Sequence, residues 1–154
     1  MKKLLGLLAL AICNNAFAID SYDRKYLDAG AVNKQFDIID YDRYINVTRL
    51  INNEFAKRLP AQVDSQTTYT MVKLSRDGLT ISLTIDGINT KQELENTLDS
   101  DLFLHGMKNR ICGNMPMLES KFFIKTTQGN IIYEINNATL KNLKKYSINF
   151  RDCL

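Results

Sequence analysis

The feature that most constrains the fold of this chain is a strict alternation of apolar and polar residues over positions 79–86. The apolar members are Leu79, Ile81, Leu83 and Ile85. Successive side chains of a strand point to opposite faces, so this pattern predicts a strand in a sheet with one buried face. Residues 67–74 alternate more weakly. The sequence Ser75–Gly78 between the two segments is typical of a hairpin turn, with a glycine where positive φ is needed.

One helix is predicted before this hairpin and another after it. Residues 41–59 carry apolar side chains at spacings of three and four, and Pro60 ends the segment. The apolar line consists of Tyr44, Val47, Ile51, Phe55 and Leu59. A second helix begins at Thr90, because Glu93 completes a capping box three residues later. We expect a kink or a local break in this helix, because its two apolar lines are offset and it contains Gly106.

The remaining segments predict three more strands. Residues 122–124 and 131–135 flank a Gly-Asn pair, which indicates a second hairpin, and residues 146–151 form a last strand. Residues 19–39 have no clear period and are expected to be an irregular N-terminal arm with one short helix at most. The predicted order is α-β-β-α-β-β-β. It describes a small single α+β domain whose antiparallel sheet has two hairpins and a C-terminal strand, with helices packed on one face.

Residues 1–18 have the three parts of an export signal. Lysines at positions 2 and 3 precede an apolar run over 4–12, and an A-x-A cleavage pattern occupies 16–18. The run is shorter than the roughly 20 residues needed to span a bilayer. We therefore predict cleavage between Ala18 and Ile19 and a mature periplasmic domain over residues 19–154. No integral membrane segment is expected after processing.

Cys13 offers an alternative to simple cleavage. Residues 10–13 resemble a bacterial lipobox, in which the cysteine carries lipid, although Ile12 stands where a small residue is usual. A lipoprotein is thus the less favoured interpretation. Loss of the signal would lower the formal charge from +3 to +1, because two lysines leave with it. That balance does not predict a nucleic-acid partner.

Cys112 and Cys153 are the cysteines that remain after processing. Two cysteines in an exported chain of this size usually pair. Their spacing is unlike C-x-x-C, and a zinc site needs about four ligands in a chain that has a single histidine. We predict a disulfide that closes the loop between residues 112 and 153. The chain-entropy model gives about 3.9 kcal/mol for that closure.

No catalytic, cofactor or metal site is predicted, and we expect a non-enzymatic protein. His105, the sole histidine, has no nucleophile or orienting acid placed by a motif. Aspartates cluster over 37–42 and 86–101, but these are predicted turns and helix starts, where aspartate is common. A hydrolase with an unrecognised site is the third hypothesis, behind the two binding functions described below.

Two groups of side chains are candidates for contact with a partner. Tyrosines anchor many protein interfaces, and four of them lie near the N-terminal arm. They are Tyr22, Tyr26, Tyr41 and Tyr44. Alternatively, these rings cover a small core while their hydroxyl groups stay wet. A basic patch of Lys141, Lys144, Lys145 and Arg151 is suited to lipid headgroups or an acidic partner, or is a solvated face.

Together these features favour an exported periplasmic binding or accessory protein. It would contact another envelope protein, for example in pilus biogenesis or in a secretion machinery. The alternative is a periplasmic inhibitor or immunity protein directed against a toxin or a cell-wall hydrolase. In that case the turns at 75–78 and 128–130 are the candidate contact loops.

Overall fold

The structure is a computed structural model that describes residues 20–114 and 120–153. The predicted signal, its cleavage point between Ala18 and Ile19, and Cys13 lie outside the described residues. In chain order the elements are α1 (Asp20–Asp28), α2 (Tyr41–Ala56), β1 (Ala61–Gln62), β2 (Thr67–Ser75), β3 (Gly78–Ile85), α3 (Lys91–Thr97), α4 (Ser100–Asn114), α5 (Lys121–Thr126), β4 (Asn130–Asn136), β5 (Asn142–Asn149) and a 3-10 turn (Phe150–Cys153).

The five strands form one sheet in the order β1-β2-β3-β4-β5. Every neighbouring pair is antiparallel except β3 and β4, which run parallel. The predicted α+β class with a mostly antiparallel sheet is confirmed. The helices pack on the face formed by the alternating apolar residues of β3, all of which are buried. On the opposite face a row of Met71, Ser82, Glu134 and Lys145 crosses four strands.

The β2–β3 hairpin forms where the alternation predicted it. Ser75 pairs with Gly78 across the turn, and Gly78 has a φ of 140°. A side chain at this glycine would overlap the backbone carbonyl of Asn130. Glycine is therefore required here both by its backbone angle and by the close approach of β4.

The predicted strand at 122–124 is wrong, because this segment is the six-residue helix α5. Ser120 caps it by accepting the Phe123 N–H at 3.1 Å. Both consecutive phenylalanines are buried: Phe122 stacks on Tyr26 with ring centroids 3.7 Å apart, and Phe123 packs edge-on against Phe150. A strand would send two consecutive rings to opposite faces, whereas this helix places both in the core.

The second hairpin consequently joins β4 to β5 rather than to residues 122–124. Parallel strands cannot be joined by a tight turn and need a crossover connection. Helices α3, α4 and α5 supply that connection between β3 and β4. The single parallel pair was not anticipated in the predicted order of elements.

The N-terminal arm contains one short helix, as the sequence allowed, and it is the nine-residue helix over residues 20–28. Tyr26 from α1 is fully buried, and its ring stacks on those of both Tyr44 and Phe122. The Asp23 carboxylate accepts hydrogen bonds from the Ser120 hydroxyl at 2.6 Å and the Lys121 N–H at 3.1 Å. These contacts dock α1 onto α5 and explain why a short, polar segment is helical.

The predicted second helix is divided, although not at Gly106. The capping box at Thr90 and Glu93 starts α3 as expected. Leu98 then adopts an extended conformation, and the Asp99 carboxylate accepts two backbone N–H groups at the start of α4. Because α4 continues through Gly106, the break comes from a new N-cap rather than from a glycine.

Cys112 and Cys153 are joined by a disulfide, with their Cα atoms 5.2 Å apart. The bond links the last turn of α4 to the 3-10 turn that follows β5. The pairing predicted from the cysteine count is thus present in the structure. It fixes the C-terminal end of the sheet to the helical layer.

Candidate interaction surface

Helices α1 and α2 leave an open groove of about 800 Å³ between them, here named the α1–α2 groove. It is lined by Lys25, Asp28, Ala29, Val47, Leu50, Asn53, Glu54, Ala56 and Lys57. The two alanines bring little side-chain volume to the wall. Val47, Leu50 and the two alanines form its apolar interior, and the charged residues of the lining lie beside them.

Leu50 is the most exposed large apolar side chain of α2, at 59%. Val47, which belongs to the apolar line of the helix, is buried beneath the groove. Leu50 lies off that line, so folding of this chain does not bury it. The groove thus has an exposed leucine beside a buried apolar base and is open to an apolar side chain of another molecule.

The rim of the groove is held by an ion pair between the two helices. The Lys25 ammonium group donates to both carboxylate oxygens of Glu54, at 2.7 and 2.8 Å. The same ammonium lies 5.4 Å from the centre of the Tyr22 ring. Both charged side chains are more than a third exposed, so the pair adds little stability but fixes the position of the rim.

Two of the four candidate interface tyrosines are in the core, which corrects the prediction for Tyr26 and Tyr44. They are 0% and 1% exposed and have no surface to offer a partner. The Thr48 hydroxyl donates to the Tyr44 carbonyl, so the Tyr26 hydroxyl donates to Thr48 at 2.7 Å. Burial raises the pKa of the Tyr26 hydroxyl. The alternative interpretation of a tyrosine-lined core therefore holds for this pair, with the Tyr26 hydroxyl bonded to protein rather than to water.

The other two tyrosines stay at the surface near opposite ends of α2. Tyr22 is half-buried beside the groove, edge-on to Phe55, and burial together with the Glu54 charge raises its pKa. Tyr41 is 55% exposed and stacks on Tyr44. Of the predicted set, Tyr22 is therefore the residue that borders the α1–α2 groove.

The two candidate contact loops lie at the same end of the sheet, because β3 and β4 are parallel and both loops precede these strands. With the loop at 33–38 they form a polar sheet-end cleft of about 590 Å³. Its lining residues are Phe36, Asp37, Ile38, Arg76, Asp77, Lys125, Thr126 and Gln128. Hydrogen bonds from Lys125 and Asn33 lower the pKa of Asp37. Phe36 and Gln128 both have positive φ.

The side chains that were considered for catalysis lie apart from each other. His105 is exposed on α4 and shares a hydrogen bond with Asn109 at 3.0 Å. Asp40 caps α2, and Asp99 starts α4. Within residues 20–114 and 120–153, no three His, Cys, Asp or Glu side chains are grouped as metal ligands. In the same part of the chain, every helix is too short or too polar to cross a bilayer.

Sequence reasoning missed the α1–α2 groove because neither the position of α1 within the N-terminal arm nor its packing against α2 was predicted. Lys25 and Glu54 are far apart in the chain, and no pattern links them. The available signal was weak, because Leu50 lies outside the apolar line of α2 but so does Ile45, which does not line the groove. Such a residue in a strongly patterned helix identifies a surface that folding leaves uncovered.

No protein-family profile matches this chain, and no curated protein sequence matches it. Among solved structures, a predicted secreted protein of Pseudomonas aeruginosa superposes with a TM-score of 0.51 at 9% identity, covering 71% of this chain and 91% of that one. This similarity shows a shared fold.

Two type II secretion pilotins superpose less well. EpsS of Vibrio vulnificus gives a TM-score of 0.43 at 11% identity, covering 75% of this chain and 98% of its own. AspS of Vibrio cholerae gives 0.44 at 11% identity, covering 73% and 97%. TM-scores below 0.5 assign neither a family nor a function to this chain.

Proposed function

We propose that this chain is an exported, non-enzymatic envelope protein that binds another envelope protein, as an accessory of a pilus or of a secretion machinery. The observation that carries the proposal is the α1–α2 groove with Leu50 exposed in its wall. The export signal and the disulfide support a location in an oxidising envelope compartment.

The groove favours a partner segment that has apolar side chains flanked by charges of both signs. Burial of a leucine side chain contributes about 1.5–3 kcal/mol, so covering Leu50 is a substantial part of a moderate affinity. Asp28 and Lys57 line the groove outside the Lys25–Glu54 ion pair. They offer one negative and one positive contact to the same segment.

The proposal is tested by capture of envelope partners with the full chain and with Leu50→Asp. We expect the variant to lose partners that the wild-type protein retains, because a carboxylate in the groove opposes burial. Its free energy of unfolding should stay within about 0.5 kcal/mol of the wild-type value, since Leu50 is exposed.

Ile45→Asp is the matched control, because Ile45 is 45% exposed on the same helix and does not line the groove. It should capture the same partners as the wild-type protein. Equal capture by the wild-type protein and by Leu50→Asp would reject the groove as the binding surface.

The convergence of two loops in the sheet-end cleft supports the second candidate function, a periplasmic inhibitor or immunity protein. A partner toxin or wall hydrolase would contact exposed residues of both turns, such as Arg76 and Gln128. Under this proposal Arg76→Ala abolishes inhibition of the enzyme while Leu50→Asp does not. The reverse pattern would favour the groove-binding accessory.

A further inference from the structure

The hydrogen-bonding phase of β5 leaves one of its edges free. Asn130 is opposite Asn149, and the next pair is bonded, since the Phe150 N–H donates to the Gly129 carbonyl at 2.9 Å. Hydrogen-bonded pairs alternate along an antiparallel ladder. Ile148 and Tyr146 therefore direct their backbone groups toward β4. Lys145 and Ser147 direct theirs away from the sheet.

These outward backbone groups have no partner in the described part of the chain. In the described residues β5 is the last strand of the sheet, and neither the turn and loop backbone bonds nor the side-chain bonds found there reach the N–H or C=O of Lys145 or Ser147. The side chains of both residues are exposed. A strand with unpaired outward N–H and C=O groups is a template for one more strand.

The charges along β5 select an acidic occupant. Lys141 and Lys145 are exposed, and Arg151 is exposed just beyond the strand. The nearest ion pair joins Lys145 to Glu134 at 3.8 Å, which is long, and the Lys145 side chain remains 56% exposed. A second copy of this chain is disfavoured in the pairing centred on Lys145, because that antiparallel register would place the two Lys145 side chains directly opposite each other.

The two faces beside the edge differ in what they accept. On the helix side, the Lys144 ammonium and the Tyr146 hydroxyl both donate to the Ser100 hydroxyl, at 2.8 and 3.1 Å. Ser100 also lines a pocket of about 480 Å³ at the α3–α4 junction, together with the exposed Leu102. Glu95 and Asp99 line the same pocket, so their negative charges would repel acidic side chains of a bound segment.

We propose that the outer edge of β5 binds an extended segment of a partner protein as a sixth strand, with acidic residues facing Lys145 and apolar residues on the helix side. Backbone hydrogen bonds supply the affinity, and the alternating side chains supply specificity. This site is separate from the α1–α2 groove and does not depend on it.

The probe is a fluorescent octapeptide that alternates glutamate and valine, titrated into the full oxidised chain. Ser147→Pro removes an outward N–H and adds a ring in the path of the new strand, while the ladder to β4 keeps its bonds. We expect affinity for the peptide to fall at least about tenfold. Ser147→Ala is the matched control and should bind like the wild-type protein.

Charge reversal tests the acidic preference independently. Lys145→Glu should lower the affinity for the glutamate peptide and raise the affinity for a peptide in which lysine replaces glutamate. Lys73→Glu, exposed on the same sheet face but on β2, should change neither affinity. Leu50→Asp should also bind the peptide normally, so failure of the groove and failure of this edge are distinguishable.

Three outcomes would overturn the proposal. Equal peptide affinity of the wild-type protein and a folded Ser147→Pro variant would exclude strand addition, and so would a Ser147 amide that the peptide leaves unprotected from hydrogen exchange. The third outcome is a wild-type protein that does not bind the peptide but binds phosphatidylcholine–phosphatidylglycerol vesicles. If Lys145→Glu abolishes this vesicle binding and Ser147→Pro does not, the basic patch binds lipid instead of a strand.

Discussion

The two edges of the sheet are finished in different ways. On the β2 side, β1 pairs with residues 68–69, and the Asn52 side chain from α2 binds both backbone groups of Leu74, at 2.7 and 3.0 Å. On the β5 side, β5 is the last strand, and no side chain in the described part of the chain bonds the outward groups of Lys145 and Ser147. The β2 edge is occupied at both ends by the protein itself, whereas the β5 edge carries exposed lysines instead.

This difference shows where association through the sheet is possible. The β2 edge is occupied at both ends, so an added strand would have to displace β1 and Asn52. The lysines of β5 oppose self-association, which is a common protection of edge strands, yet leave the backbone available to an acidic partner. An edge whose backbone groups are already bonded excludes an added strand, whereas an edge that carries only like charges still accepts a strand of opposite charge.

The largest expected effect is on the β5 side, where the chain after the strand is covalently tied to α4. Cys112→Ala combined with Cys153→Ala should lower the free energy of unfolding by a few kcal/mol, with about 3.9 kcal/mol as the chain-entropy limit for a sequence separation of 41. Urea denaturation at pH 7 measures this loss. A loss below about 1 kcal/mol would mean that packing alone holds the β5 side.

A smaller loss is expected when the closed edge is opened. Asn52→Ala leaves the partly buried N–H and C=O of Leu74 without their protein partner, which should cost about 1–2 kcal/mol in denaturant unfolding. Asn53→Ala, one residue along and exposed, should cost less than about 0.5 kcal/mol. Similar losses in the two variants would show that Asn52 does not close the β2 edge.

The smallest effect concerns α3, the helix that packs against β5. Hydrogen bonds from the backbone of Asn89 and Thr90 hold the pKa of Glu93 below its ordinary value of 4.5. Its contribution to stability is therefore complete above pH 4.5 and is lost as pH falls through the lowered pKa. Glu93→Gln should flatten the acid limb of the stability–pH curve slightly, and an unchanged limb would contradict the role of this cap.

Local patterns predicted the parts of the fold that local chemistry decides. The alternation of β3 gave the β2–β3 hairpin, and the capping box at Thr90 and Glu93 gave the start of α3. The cysteine count gave the disulfide between α4 and the 3-10 turn. In each case a few neighbouring residues, or one unavoidable pairing, carried the information.

Tertiary contacts decided the rest. A short apolar run such as 122–124 fits a strand or a buried helix equally well, and the stacking of Phe122 on Tyr26 favours the helix. The helical state of α1 depends on Asp23 and Tyr26 meeting α5 and α2. The α1–α2 groove exists only after that docking, so its residues carried no joint signal in the sequence.

The four tyrosines show the same division. Tyr44 belongs to the apolar line of α2, which was itself a signal for burial. Tyr26 had no such signal, because the period of α1 was not recognised. Tyr41 precedes the line and stays exposed. Membership of a helical stripe was thus a better guide than residue type.

Amide hydrogen exchange of the oxidised, partner-free chain, resolved residue by residue by NMR, tests the contrast between the edges most directly. We predict strong protection at Leu74, bonded to Asn52, and at Ile148, directed toward β4. The amides of Lys145 and Ser147 should exchange quickly, as solvent-exposed groups of a free edge. Protection of Ser147 equal to that of Ile148 would show that the β5 edge is already occupied and would contradict the proposed strand site.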